Sequence, residues 1–257
     1  MRYRLTRSES AELACLHDRL INGAPRGEGV VQWRNKTIRY TSASALFYQL
    51  SDIYIERSYD FLFNGNPTIL DVGANHGIAV RRYRERFPNA KIIAFEPDPT
   101  IYKVLVENVR NHWCDPATQL LQAAAWTTQG VTHFNATGSD TGSIDPGGSI
   151  EVTTVDLAHH CAAPVDFLKI DVEGAEQVLL QHLADTNALS NVRRLFIELH
   201  HWVAGPMAWH ETLGILDRCG FEYRLKADNL GQPRESTHFD NLPYPAALAA
   251  VYAWKNT

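Results

Sequence analysis

Residues 68–77 read Thr68-Ile69-Leu70-Asp71-Val72-Gly73-Ala74-Asn75-His76-Gly77. A short apolar run ends on a carboxylate and enters a turn with two glycines, and helical spacing follows from about 77 to 87. Strand, tight turn and helix in that order make the first half of a βαβ unit. The pattern recurs downstream. Apolar runs at Lys91–Phe95, Gln119–Ala125, Val165–Ile170 and Leu195–Leu199 alternate with helical stretches at about 99–112, 173–184 and 206–219. Such alternation predicts a doubly wound α/β fold, a mainly parallel sheet with helices on both faces. After Gly220 two further strand-like runs, Phe221–Leu225 and Ala247–Trp254, have no convincing helix between them and read as a closing antiparallel hairpin. Between 130 and 155, the pieces Val131–Phe134 and Ile150–Val155 flank a Gly- and Ser-rich loop, decorations on the same sheet.

The N-terminal part differs. Ser10 to Ile21 has helical spacing and stops at Asn22-Gly23, Val30 to Tyr40 reads as a hairpin around Asn35-Lys36, and Ser44 to Phe63 is helical again. Residues 1–66 are therefore expected to form a helical and hairpin cap appended to a catalytic domain at 67–257.

Composition bounds the function. The 257 residues carry 24 Lys+Arg against 29 Asp+Glu, a net charge of −5, with 45% apolar and 21% charged residues. These are globular proportions, and a mildly acidic chain is a poor binder of nucleic acid, which requires an excess of Lys and Arg. The longest apolar stretch, Ala246–Trp254, is about half of a bilayer span, so no membrane span is expected. The first residues lack the apolar core of a secretory signal. Cys15, Cys114, Cys161 and Cys219 form no C-x-x-C pair, which suits a reducing compartment. The expected location is cytoplasmic.

The polar residues fall at the strand ends. The runs terminate in Asp71, in Glu96, in Asp171 with Glu173, and in Glu198 with His200. In a parallel sheet these carboxyl ends share one edge, where open α/β sheets bind ligands. The turn at 73–77 has Asn75 where the dinucleotide fingerprint needs glycine, and Asp71 would repel a phosphate. Glu96 lies 19 residues after Gly77, the spacing at which an acid accepts hydrogen bonds from ribose hydroxyls. A nucleoside carrying an ammonium group and no phosphate, such as S-adenosylmethionine, fits both observations.

The strings Asp71–Gly77, Phe95-Glu96-Pro97-Asp98-Pro99, Leu168–Glu176 and Ile197-Glu198-Leu199-His200, in this order and spacing, resemble the FkbM family of S-adenosylmethionine-dependent methyltransferases. The resemblance covers about 67–202. It implies a class I, Rossmann-like sheet of seven strands with an antiparallel last strand, and relatives that methylate hydroxyls on natural products or sugars. It places the methionine part of the cofactor against Asp71, Gly73, Ala74, Asn75 and Gly77, and the ribose on Glu96. Asp98 falls on the adenosine side, the adenine near Gln122–Ala125 with Ala124 as a backbone contact, and Asp171 at the cofactor as well as in catalysis.

Methyl transfer from a sulfonium needs alignment and exclusion of water more than activation. A carboxylate touching the sulfur would stabilise the ground state most and slow the step, so the acids should bind the amino group, the ribose and the acceptor. A hydroxyl acceptor must also lose a proton. His200 is the candidate base, with Asp171 and Glu198 as its catalytic companions. Asp171, Glu173, Glu198 and His200 would also suit a divalent metal. Glu173 and Glu176 open a helix, however, where the macrodipole alone favours acids, and no metal is assigned. Trp126 reads as core rather than as a wall of the adenine pocket. Arg81, Arg82, Arg84 and Arg86 read as a solvated helix face, with an acidic carrier or substrate as the sharper alternative. The Gly138–Gly148 loop is a candidate cover for the site. Asn241-Leu242-Pro243-Tyr244 resembles the N-P-P-Y motif of amino-methylating nucleic-acid enzymes but follows the wrong strand.

The expected function is O-methylation of a small-molecule or glycosyl acceptor. The rivals are methylation of an amine or peptide carboxylate, a nicotinamide-dependent oxidoreductase, and a cofactor-binding module without catalysis. Acceptor identity and oligomeric state are not legible.

Overall fold

The computed structural model describes residues 6–23, 27–34, 36–110, 117–139, 141–201, 209–229 and 247–255. The Asn241–Tyr244 motif lies outside them. The core is a seven-stranded sheet built from β3 (Thr68–Val72), β4 (Lys91–Phe95), β5 (Thr118–Leu121), β10 (Phe167–Ile170), β11 (Arg194–His201), β12 (Glu222–Asn229) and β13 (Ala247–Trp254). Its order is β12-β13-β11-β10-β3-β4-β5. Only β13 runs antiparallel to its neighbours, as the hairpin reading and the family resemblance both required.

Strand periodicity sorts side chains between two cores. Ile69, Ile92, Ala94, Phe167 and Phe196 face α3 (Ile78–Arg86), α4 (Pro99–Arg110) and the N-terminal segment. Leu70, Ile93, Phe95, Leu168, Ile170, Leu195 and Ile197 face α6 (Glu176–Asp185) and α7 (Trp209–Arg218). Counting on by two from the first set reaches Asp71, Glu96, Lys169, Asp171, Glu198 and His200. The charged strand ends therefore belong to the face that the N-terminal segment covers.

That segment comprises α1 (Arg7–His17), the hairpin β1 (Gly29–Trp33) and β2 (Lys36–Tyr40), and α2 (Ala43–Leu50), which continues as a wider turn through Ser51–Glu56. Leu16, Trp33, Ile38, Leu46, Leu50 and Tyr54 join the same core as Ile69 and Phe167, so the cap and the sheet share buried surface.

The four arginines of α3 do not form a solvated face; three of them fasten this segment and the fourth, Arg84, turns toward β5. Arg82 grips Asp60 through Nε at 2.8 Å and Nη2 at 2.5 Å, and Arg86 reaches Asp60 at 3.1 Å and the Phe61 carbonyl at 3.0 Å. Arg81 is buried against Glu85 with its guanidinium over Trp33 and Tyr54. Arg84 holds the Pro88 carbonyl and the Thr118 hydroxyl. The correction has a simple cause: the partner carboxylates and rings lie about twenty to fifty residues away in the sequence.

A second correction concerns the expected run Gln119–Ala125. It splits after Leu121, because β4 ends at Phe95 and the last partner available is Glu96, whose N–H bonds the Leu121 carbonyl at 3.1 Å. Ala124–Trp126 (β6) then leaves the main sheet and pairs in parallel with β9 (Ile150–Asp156). With β7 (Gly130–Asn135) and β8 (Ser143–Ile144) it forms a separate four-stranded sheet, so the pieces expected as decorations make a layer of their own. Trp126 packs, partly buried, on the α6 side of the core. Among the described residues no helix is long and apolar enough to cross a membrane.

Candidate active site

A cavity of about 560 Å³ opens at the carboxyl ends of β3, β4, β10 and β11, within the range of small-molecule sites. One wall is the glycine turn. Gly73 takes φ +84°, and a Cβ there would lie 1.8 Å from the Asp171 carbonyl oxygen, so the close approach of β3 to the end of β10 requires glycine. Gly73 and Ala74 donate N–H groups to the Phe95 carbonyl at 3.1 and 2.9 Å. The next residue, Asn75, is also left-handed at φ +46° and donates its N–H to Glu96 Oε2 at 2.9 Å. Asp98 N–H donates to Glu96 Oε1, also at 2.9 Å. Glu96 is thus held by both oxygens at the cavity wall, and each oxygen keeps a second lone pair. Burial raises its pKa to about 7, with the two N–H donors opposing the shift.

Beside Glu96 the wall becomes apolar. Ala123, Ala124, Ala125, Phe134 and Ile144 line it, joined by Ser139, Thr141 and Gly142 of the 136–144 loop. Asp98 ties that loop down. Its Oδ1 caps α4 by accepting from Thr100 and Ile101 N–H at 2.7 and 3.2 Å, and its Oδ2 accepts from Gly138 N–H at 3.3 Å.

The floor holds an ion cluster. Lys169, 3% exposed, donates to the Gly73 carbonyl at 2.5 Å and lies 3.1 Å from Asp171 Oδ2 and 3.5 Å from Asp71 Oδ1. Burial acts against its charge, but Asp171 and Asp71 outweigh that and raise its pKa. Asp71, fully buried, is pushed up to about 6 by desolvation despite the ammonium beside it.

The far end is acidic. His200 Nδ1 lies 2.9 Å from Glu176 Oε1, and Nε2 lies 3.3 Å from Glu173 and 3.9 Å from Asp171. Burial would lower the ring's pKa, yet the Glu176 hydrogen bond and the charges of Asp171, Glu176 and Glu173 raise it to about 10. Glu198 goes the opposite way for a base: burial first, then Asp171, lift it to about 8. Asp52, from the N-terminal segment, accepts from the Ser58 hydroxyl at 2.5 Å and is raised to about 6 by burial. Tyr48, Glu56 and Tyr59 of the same segment and Lys226 of β12 complete this end, where Lys226 pairs with Glu56.

Against this geometry stand the known proteins. The methyltransferase FkbM domain matches residues 71–223. The chain belongs to the FkbM methyltransferase family. Methyltransferase sdnD of Sordaria araneosa is 28% identical over 188 residues, covering 57% of this chain and 72% of sdnD. The AMB antimetabolite synthetase AmbE of Pseudomonas aeruginosa is 24% identical over 261 residues, covering 81% of this chain but only 12% of that much longer protein. The crystal structure of methyltransferase FkbM from Methylobacillus flagellatus shares the fold at 17% identity and a TM-score of 0.50. It is covered over 47% of its chain by 79% of this one.

In this FkbM-family methyltransferase the strand ends meet as the sequence implied, with differences in detail. Gly73, Ala74, Asn75, Glu96, Asp98, Ala124, Asp171, Glu198 and His200 all line the cavity. Asp71 does not: it is fully buried beside Lys169. Gly77 is also away from the cavity. It starts α3 at φ +82°, and a Cβ would meet Leu105 Cδ1 at 2.7 Å, so its smallness serves helix packing. His200 sits less freely than a base in open solvent: Nδ1 is hydrogen-bonded to Glu176, Nε2 faces Glu173, and these carboxylates raise the ring's pKa to about 10. Asp171, Glu198 and His200 bring one ligand atom each within 4.8 Å of one another. No metal is assigned to this trio.

Lys169 and Asp52 had no role in the sequence reading, and Glu176 was read there only as an acid opening a helix. For Lys169 a signal existed: a cation between Leu168 and Ile170 in a strand buried on both faces has to be paired.

Proposed function

We propose that this methyltransferase uses S-adenosylmethionine to methylate a hydroxyl of a small-molecule or glycosyl acceptor. The observation that carries the reading is Glu96, a buried carboxylate held by two backbone N–H groups at one end of a cavity whose other end is acidic. It offers two acceptors to a ribose diol. The apolar wall at Ala123–Ala125, Phe134 and Ile144 suits an adenine, and Asn75 and Gly73 lie where the amino-acid part would follow. The residues fit the group.

S-adenosylmethionine supplies an activated methyl group. What remains for the protein is to orient the acceptor, exclude water and take a proton. Glu198 is the cavity carboxylate suited to the last task. Among the described residues it has no hydrogen-bond or ion-pair partner, and burial next to Asp171 gives it a proton affinity near the working pH. An acceptor carboxylate would face Asp52, Glu173 and Glu198 together, which favours a hydroxyl over an acid as acceptor.

The test is calorimetric titration with S-adenosylmethionine, S-adenosylhomocysteine and NAD, with and without Mg²⁺. Binding of both adenosyl ligands and not NAD is expected. Binding of NAD alone would overturn the cofactor, and Mg²⁺ strengthening the adenosyl titration would reopen the metal reading.

A further inference from the structure

We propose that His200 is a positioning residue, a fixed imidazolium that staples the turn Asp171–Ala175 to β11 and α6 and thereby aims the carboxylates of the acceptor end. The turn is an unfavourable one. Glu173 takes φ +57° and Gly174 φ +108°, and a left-handed glutamate persists only where its surroundings impose it.

Those surroundings converge on one buried carboxylate. Glu176, 2% exposed, accepts from the Val172 N–H at 3.1 Å and from the Gly174 N–H at 3.0 Å on Oε1 and 3.1 Å on Oε2. The same Oε1 lies 2.9 Å from His200 Nδ1. An oxygen already receiving two backbone donors acts as an acceptor toward the ring, so Nδ1 must carry a hydrogen. On the other side of the ring Nε2 lies 3.3 Å from Glu173 Oε1 and 3.9 Å from Asp171 Oδ1, again facing acceptors. With Nδ1 donating to Glu176 and Nε2 set beside two carboxylates, these surroundings favour the charged ring.

Among the described residues the charged groups around it are Asp171 and Glu173 from the turn, Glu176 from α6, Glu198 two residues earlier on β11, and Lys169 of β10, held 3.1 Å beyond Asp171. Negative charge prevails, and neutralising the ring would leave Glu173 and Glu176 facing each other across it. The proton of an acceptor hydroxyl therefore goes to another group.

The inference rests on the methyl-transfer reading only in naming this the acceptor end, and its test needs neither cofactor nor acceptor. Nitrogen NMR of the ¹⁵N-histidine-labelled full chain, with His200→Gln for assignment, should show both ring nitrogens protonated from about pH 6 to 8.5. Glu176→Gln should lower the ring's titration midpoint by about one pH unit or more and speed exchange of the Val172 and Gly174 amides about ten-fold. A neutral His200 at about pH 7.5 in the wild type would overturn the proposal. So would a folded Glu176→Gln protein with the ring still charged and both amides still protected. If His200→Gln does not fold, the ring signal that moves in Glu176→Gln identifies His200, and absence of any such shift counts against the proposal.

Discussion

Replacing Glu96 by glutamine probes the proposed adenosyl end through its pH dependence. In the ligand-free protein Glu96 has a pKa of about 7, because burial disfavours its charge more than the Asn75 and Asp98 N–H groups favour it. A ribose diol donates to the ionised carboxylate, so the ligand selects the deprotonated form and binding must expel the proton that is present below pH 7. Affinity for S-adenosylhomocysteine should therefore rise with pH. For a midpoint near 7 the population of the ionised form grows about 25-fold between about pH 5.5 and 7.5, or ~1.9 kcal/mol of binding free energy. Calorimetry in two buffers of different ionisation enthalpy should show close to one proton released per ligand at about pH 6. Glu96→Gln cannot titrate, and its amide must turn an NH₂ group toward one of the two backbone donors, losing that hydrogen bond. Its affinity should be flat across the range and about ten-fold weaker at about pH 7.5. A wild-type affinity that does not change with pH, or a glutamine variant that keeps both affinity and slope, would refute the placement of the ribose on Glu96.

Two further substitutions test the floor. Gly73→Ala puts a Cβ 1.8 Å from the Asp171 carbonyl oxygen at φ +84°, a clash with backbone that cannot swing aside. The thermal midpoint should fall by at least ~6 °C, and an alanine variant of unchanged stability would mean that β3 and β10 do not approach so closely. Lys169→Met leaves the fully buried Asp71 without its cation and should destabilise the fold by ~3–5 kcal/mol in denaturant titrations. Adding Asp71→Leu should recover part of the loss; a double variant no more stable than the single one would show that the pair is not the cause.

Much of the fold was legible because strand and helix periodicities are local. Ile69-Leu70, Ile92-Ile93 and Leu168 with Ile170 have to be buried on both faces, and the helical stretches between them force parallel pairing. The carboxylates at the strand ends inherit their common edge from the same topology. What failed depended on partners distant in the chain. The arginines of α3 look solvated in a window of nine residues, yet Asp60, Trp33 and Tyr54 take up three of them. The split between Leu121 and Ala124 follows from where β4 runs out of residues to pair, a length set elsewhere in the sheet.

The amino-acid sequence by itself determined the parallel sheet, the edge at which Asp71, Glu96, Asp171, Glu198 and His200 gather, and the glycine turn beside them. Those follow from spacing, which any chain with this pattern must obey. Tertiary structure alone decided which of these residues reach the cavity and in what charge state. Asp71 is fully buried beside Lys169, and His200 is enclosed by Glu173 and Glu176. The proton affinity of Glu198 comes from burial and from Asp171. Charge states depend on desolvation and on neighbours a few ångströms away, and neither distance nor burial is written in sequence separation.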